Sequence, residues 1–326
     1  GNNDIETAIA IGKRATQYGL KLLVDFHYSD FWADPSKQMV PKAWATMNID
    51  DKADALYAYT KDCLKKLKDA GVAIGMVQLG NETNAGNMAG VTSTSSWANV
   101  CKLWKAGSRA VREIDKKILI ALHFTNPEKS DNMKDYAKKV DYYKLDYDVF
   151  GSSYYPCGHG TLQNLQDTLG FIAETYKKKV MVMETSYAFS PDDTDGWGNT
   201  IGNGGYDNKA YPFTIAGQAN CMRDIIDTVA NTKNGIGVCY WEGAWITVGD
   251  TTKGATTSQN QVLWERDGSG WASSYAKEYD PNDAGKYYGG SSWDNQAFFD
   301  STGHVLPSLD VFKYVNFGAV GEKLEV

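Results

Sequence analysis

Short β-rich runs alternate with amphipathic helical patterns along most of this chain, and that alternation leaves few folds open. The strand candidates are residues 20–28, 73–81, 117–124, 147–155, 178–186 and 236–245, with helical patterns at 3–17, 51–69, 94–113, 128–140, 161–176 and 214–232. A run as continuously apolar as Val180-Met181-Val182-Met183 has no polar face, so it suits a parallel sheet covered by helices. Each run closes on polar or aromatic residues: Asp25 and His27, Asn81 and Glu82, His123, Tyr154 and Tyr155, Glu184, then Trp241 and Glu242. In a (β/α)8 TIM barrel the chemistry gathers at the C-terminal rim of the strands, so this repetition favours an α/β barrel over an open doubly wound sheet. No glycine-rich phosphate loop follows any run, which also disfavours a nucleotide-binding sheet. A closed barrel needs eight strands where six are seen. The pattern at 3–17 reads as the tail of a second βα unit, so two units are expected upstream of Gly1. The expectation is one catalytic barrel domain over 1–326, N-terminally incomplete, in which the long segments 187–213 and 246–295 are functional loops without an apolar period of their own.

Composition narrows the function. Hydrophobic residues make up 42% and charged residues 22%, and no apolar stretch approaches the ~18 residues of a membrane span. The net charge is −7 with Lys and Arg scattered rather than striped, which argues against nucleic acid and for a neutral partner. Ten Trp and 20 Tyr exceed what a core alone requires, and rigid aromatic faces are what sugar rings stack on. Five Cys, at 63, 101, 157, 221 and 239, include no CxxC pair; those at 63, 101 and 221 fall in helical patterns and Cys239 in a strand, so they read as small core residues.

Glu82 and Glu184 each end an apolar run far apart in the chain, so parallel strands would project both carboxylates from one rim. Retaining glycoside hydrolysis needs such a pair, one acid and one nucleophile roughly 5–5.5 Å apart. A general acid must hold its proton near neutral pH, which burial and a neighbouring negative charge achieve. Asn81, directly before Glu82, is placed to bond the sugar 2-hydroxyl; a helix-capping Glu is the plainer alternative. Glu184 must stay ionised and needs donors, for which Tyr155 is the candidate, although SSYYP also suits aromatic packing. His27 and Asp25 lie in VDFHYSDFWADP, and the four His form no metal spacing, so metal hydrolysis is disfavoured. His27 is expected to donate to a substrate hydroxyl or to hold the nucleophile's surroundings, and Trp241 to floor the cleavage subsite. Asp193, Asp195 and Asn199 place oxygen ligands at i, i+2 and i+6 around Gly196, which suits Ca²⁺ or a solvated acidic turn.

DFHYSDFWADPSKQMVPKAW, VQLGNETNAG, ALHFTNP, SSYYP, METSYAF and YWEGAW together resemble glycoside hydrolase family 53, the arabinogalactan endo-β-1,4-galactanases, from Gly1 to about Lys313. The resemblance implies a retaining clan A barrel with Glu82 as acid/base and Glu184 as nucleophile. Asn81, His27, Asp25, Tyr155, Trp241 and Trp32 become the substrate-binding shell. It also implies a structural Ca²⁺ on Asp193, Asp195, Asn199 and Asp294, with the segment containing Ser292 tying the two long loops together. The implied substrate is the β-1,4-galactan of pectin, met outside the cytoplasm by a monomer; another β-1,4-polysaccharide, or a barrel that binds sugar without cutting it, are the alternatives. Two further strands, the second ending in an Arg that supports the nucleophile, would precede the point matching Gly1.

Overall fold

Helix α1 (Ile5–Gln17) starts where Asp4 can cap it, the carboxylate accepting the Thr7 N–H at 2.9 Å. In the same way Asn48 opens α2 (Ile49–Asp69) by accepting the N–H groups of Asp50 and Asp51 at 2.9 and 3.0 Å. The computed structural model describes residues 3–92, 97–202, 210–267 and 291–318. They divide into two compact units. The first holds Gly1–Ser153, Asp167–Met183 and Thr232–Ile236; the second holds Tyr154–Gln166, Glu184–Asn231 and Gly237–Val326.

The strands are β1 (Leu22–Phe26), β2 (Ile74–Leu79), β3 (Leu119–Phe124), β4 (Val149–Ser153), β5 (Lys179–Glu184) and β6 (Gly235–Val238), in one six-stranded sheet ordered as in the chain. β1 pairs with β2, β2 with β3, and β3 with β4 in parallel. The remaining helices are α3 (Trp97–Ile114), α4 (Ser130–Tyr142), α5 (Leu162–Tyr176), α6 (Ile215–Ala230), α7 (Thr257–Asp267) and α8 (Val311–Phe317). The fold class is therefore α/β, with the strand–helix alternation of a (β/α)8 barrel.

In the first unit the strands are buried as their unbroken apolar runs require: every residue of β4, and Val180 to Met183 of β5. Helices α2 and α3 cover the sheet with Leu56, Leu64, Leu67, Val100, Leu103 and Val111, all fully buried. Each such side chain is worth roughly 1.5–3 kcal/mol. Phe124 stacks on Phe150 at 4.9 Å between centroids and meets Trp104 edge-on at 6.2 Å. The Trp104 indole donates to the Leu79 carbonyl at 2.9 Å, which pins the last residue of β2 just before the chain turns toward Glu82. In the second unit, Met222 of α6, Phe298 and Val311 of α8 make a smaller core. The buried Gln218 amide bonds the carbonyls of Tyr187 and Ala297 at 3.0 Å each, tying α6 to both loops.

Three expectations are corrected. The run 236–245 is not a strand throughout: β6 ends at Val238, so Cys239 and Trp241 lie beyond it, and Glu242 takes a left-handed backbone at φ 54° that no ladder accommodates. The segment 246–295 carries a helix, α7, whose weak amphipathicity hid it and which is anchored by the fully buried Trp264. Helix α8 was also unforeseen; at seven residues it is too short to show a period. Residues 203–209 and 268–290 of the long segments lie outside the described residues. All five Cys are free, and all but the half-buried Cys239 are buried.

Gly151 of β4 has no room for a side chain, since a Cβ would lie 2.2 Å from Met183 Cγ. Gly151→Ala is expected to lower stability by about 1–3 kcal/mol. A urea midpoint equal to that of the parent would show that β4 and β5 pack less tightly than described.

Candidate active site

In the first unit β2 leaves the ladder at Leu79, and Gly80 turns the chain at φ 87°, where a Cβ would lie 2.6 Å from Met88 Sδ. Glu82 follows with φ 45°, a left-handed backbone that costs a non-glycine residue on the order of 1–3 kcal/mol. What holds it there is the next residue: the Thr83 N–H and hydroxyl both donate to the His123 carbonyl, at 2.8 and 2.9 Å. The Glu82 side chain is 9% exposed, and its Oε1 lies 2.5 Å from Ser153 Oγ at the end of β4. Burial pushes its carboxyl up to about 6.

Around Glu82 the polar groups form one connected set. Asp25 accepts the Gln78 amide N–H at 2.6 Å on Oδ1 and the His27 ring at 3.1 Å on Oδ2. His27 Nδ1 accepts the Ala33 N–H at 2.7 Å, so its proton sits on Nε2 toward Asp25. Both His27 nitrogens are thereby engaged within the chain. Asn81 is buried; its Nδ2 donates to the Ala33 carbonyl at 2.8 Å, and its Oδ1 accepts from Gln78 at 3.0 Å and lies 2.9 Å from His123 Nδ1. One Asn81 N–H is left over after these bonds. Trp32 is half-buried beside Phe31, with Lys37 Nζ 4.7 Å from its ring centroid.

In the second unit Glu184 ends β5, and the expected donor is in place: the Tyr155 hydroxyl donates to Glu184 Oε1 at 2.5 Å. The Tyr154 N–H holds the Glu184 carbonyl at 2.8 Å. Trp241 packs edge-on against Trp293 at 5.0 Å, and Trp293 meets the Tyr155 ring at 5.3 Å. Trp293 thus joins two predicted site residues; nothing in the sequence singled it out, because the same segment carries other aromatics.

The acidic loop of the second unit is ordered by its own backbone. Asp193 Oδ1 accepts the Asp195 and Gly196 N–H groups at 3.2 and 2.7 Å. The buried Asp195 accepts the N–H groups of Trp197 and Ser291 at 2.8 Å each; burial and then the Asp294 charge push its carboxyl up to about 7. Ser292 and Asp294 do tie the loops together. The Ser292 carbonyl accepts the Thr200 N–H at 2.9 Å, and Asp294 Oδ2 accepts the Thr194 hydroxyl at 2.5 Å. Asn199 Oδ1 and Asp294 Oδ1 are buried with no protein partner among the described residues. Asp193, Asp195 and Asp294 have no ion pair with Lys or Arg among the described residues. Hard oxygens, surplus negative charge and two orphaned acceptors fit a Ca²⁺ ion.

Three residues in this set had no role in the sequence reading. Gln78 sits in a strand that otherwise reads as apolar, Ser153 ends β4 after a second serine, and His123 was one more polar strand end. A polar side chain inside a buried strand is the signal that marks them.

Comparison with known proteins adds the family. The model of glycosyl hydrolase family 53 matches residues 1–312. The chain is 56% identical over 324 residues to an endo-beta-1,4-galactanase of Bacillus subtilis (strain 168), covering 99% of this chain and 74% of that protein. Among solved structures, the catalytic domain of an Ignisphaera aggregans protein of the same family superposes with a TM-score of 0.82 at 32% identity, covering 97% of this chain and 79% of that one. A structure from a study of two fungal beta-1,4-galactanases gives 0.74 at 30%, covering 96% and 83%.

A carboxyl raised on folding binds its proton more tightly folded than unfolded. Its stabilisation is therefore full below the unfolded value of 4.5 and lost as pH rises through about 6. Glu82→Gln removes that loss, so its stability relative to the parent should rise by about 2 kcal/mol between pH 4 and pH 7. Parallel stability curves over that range would mean that Glu82 is not shifted.

Proposed function

Because the chain belongs to glycosyl hydrolase family 53, we infer that it is a retaining endo-β-1,4-galactanase that hydrolyses the β-1,4-galactan side chains of pectin. The observation that carries the chemistry is the buried Glu82, whose carboxyl keeps its proton up to about pH 6 while Glu184 is met by the Tyr155 hydroxyl. An acid and a carboxylate kept apart in this way suit double displacement.

In the first step Glu184 attacks the anomeric carbon as the bond to the leaving sugar breaks, and Glu82 gives its proton to the departing oxygen. A galactosyl ester on Glu184 results. In the second step Glu82, now a carboxylate, takes a proton from water. The water oxygen displaces Glu184 at the anomeric carbon, and both carboxyl groups return to their starting states. The Tyr155 hydroxyl stabilises Glu184 as an anion before attack and again as a leaving group. The left-over Asn81 N–H suits the sugar 2-hydroxyl, a contact that strengthens in the transition state. Asp25 and His27 brace that amide through Gln78 and Ala33, and Trp32 and Trp241 offer aromatic faces to sugar rings.

A Ca²⁺ ion held by Asp193, Asp195, Asn199 and Asp294 would supply structure rather than chemistry, offsetting two of the three carboxylate charges where the two loops meet. The substrate is a polymer found outside the cytoplasm, so the enzyme acts there. No helix among the described residues is long and apolar enough to cross a membrane.

Reducing ends should appear from β-1,4-galactan and not from mannan or xylan. Glu82→Gln and Glu184→Gln should each lower kcat on polymer by at least ~10²-fold with the fold intact. Either variant retaining parental turnover would remove that residue from the mechanism. For the metal, chelation by EDTA should lower the thermal midpoint and added Ca²⁺ should restore it. An unchanged midpoint would leave the acidic loop a solvated turn.

A further inference from the structure

Hydrogen-bond direction, followed atom by atom through the first unit, fixes where the protons lie around Glu82. The Asp25 carboxylate only accepts, so the Gln78 group 2.6 Å from it is the amide nitrogen. The second hydrogen of that nitrogen points at Asn81, 3.0 Å away, so the Asn81 atom there is its oxygen; Asn81 Nδ2 donating to the Ala33 carbonyl at 2.8 Å requires the same orientation. His123 Nδ1, 2.9 Å from that oxygen, must then carry a hydrogen. A neutral His123 therefore has a bare Nε2, and the atom 2.8 Å from it is Ser153 Oγ. Ser153 owns one hydrogen and faces two acceptors, His123 Nε2 and Glu82 Oε1 at 2.5 Å. Both contacts are satisfied with His123 neutral only when Glu82 itself carries the proton and donates it to Ser153.

We propose that Ser153 and His123 are positioning residues that keep the catalytic proton on Glu82, the Ser153 hydroxyl donating to His123 while it accepts from Glu82. When the proton leaves with the departing sugar, the hydroxyl turns to the new carboxylate and His123 Nε2 loses its donor. That buried, unpaired acceptor disfavours the ionised state and favours return of the proton from water. No bond is formed or broken at Ser153 or His123, and His123 is neutral throughout. The competing arrangement, an imidazolium donating to Ser153 beside an ionised Glu82, has the same number of protons but buries a cation on a residue 1% exposed. Burial pulls the His123 imidazole down to about 4, against that arrangement. The inference rests on Glu82 being the acid/base.

The test uses NMR on the intact protein and needs no turnover, so it is decided separately from the galactanase reading, which fails if galactan is not cut. Imidazole ¹⁵N spectra resolve the four His, and at pH 5 His123 should be the neutral Nδ1–H tautomer. Its Nε2 resonance should then move as Glu82 titrates. The Glu82 carboxyl, assigned by its loss in Glu82→Gln and followed by ¹³C, should titrate about one unit lower in His123→Phe, a tenfold weaker hold on the proton. The charges bearing on Glu82 are those of Asp34 and His27, those bearing on His123 are Asp25 and His27, and all are common to both proteins. An imidazolium or an Nε2–H tautomer at pH 5, or a Glu82 titration that rises or stays put in the variant, would overturn the proposal. Should His123→Phe not fold, the parental tautomer decides alone.

Discussion

Parallel pairing in register is the constraint on which the first unit depends. Asp25 lies opposite Gln78, Gln78 opposite Ala121, and Ala121 opposite Val149, so the strands leave the ladder at one edge. Residues a few positions later on four different strands, His27, Asn81, His123 and Ser153, consequently meet around Glu82. The side-chain period of a strand is two, so a slip of one residue would turn each of these groups to the other face.

The same edge shows how stability is exchanged for function. Glu82 is held in a left-handed backbone by the two bonds from Thr83, and its carboxyl is buried. Both features cost stability, and the burial keeps a proton available near neutral pH. Glu184 is treated differently, since a phenol hydroxyl at 2.5 Å favours its charge. On the proposed mechanism, two chemically identical side chains would take opposite duties from their surroundings, as acid catalysis paired with nucleophilic attack requires.

Much of this was legible in the chain. Alternation of apolar runs with helical patterns is a strong signal, and five strands and six helices lie where it indicates, shifted by a few residues, while the sixth strand ends seven residues early. The bond from Tyr155 to Glu184 was anticipated because both residues end neighbouring strands. What escaped notice has physical reasons. Helix α7 presents a single buried Trp rather than a stripe, and α8 is two turns long. Ser153 and Gln78 gain meaning only from register, because a serine or glutamine in a strand acquires a role through what lies opposite. Hydrogen-bond direction exists only once acceptor and donor are both placed, so nothing in the spacing of His123 indicated its tautomer.

Family membership, the buried acid at Glu82 and the Tyr155-supported carboxylate at Glu184 converge on a two-step displacement at the anomeric carbon. The configuration of the first-formed product tests that most directly. Proton NMR of β-1,4-galactan hydrolysis, read within the first turnovers before mutarotation, should show β-anomeric reducing ends appearing ahead of α. First-formed α-anomers would mean that water attacks in a single step, and would contradict Glu184 as a nucleophile.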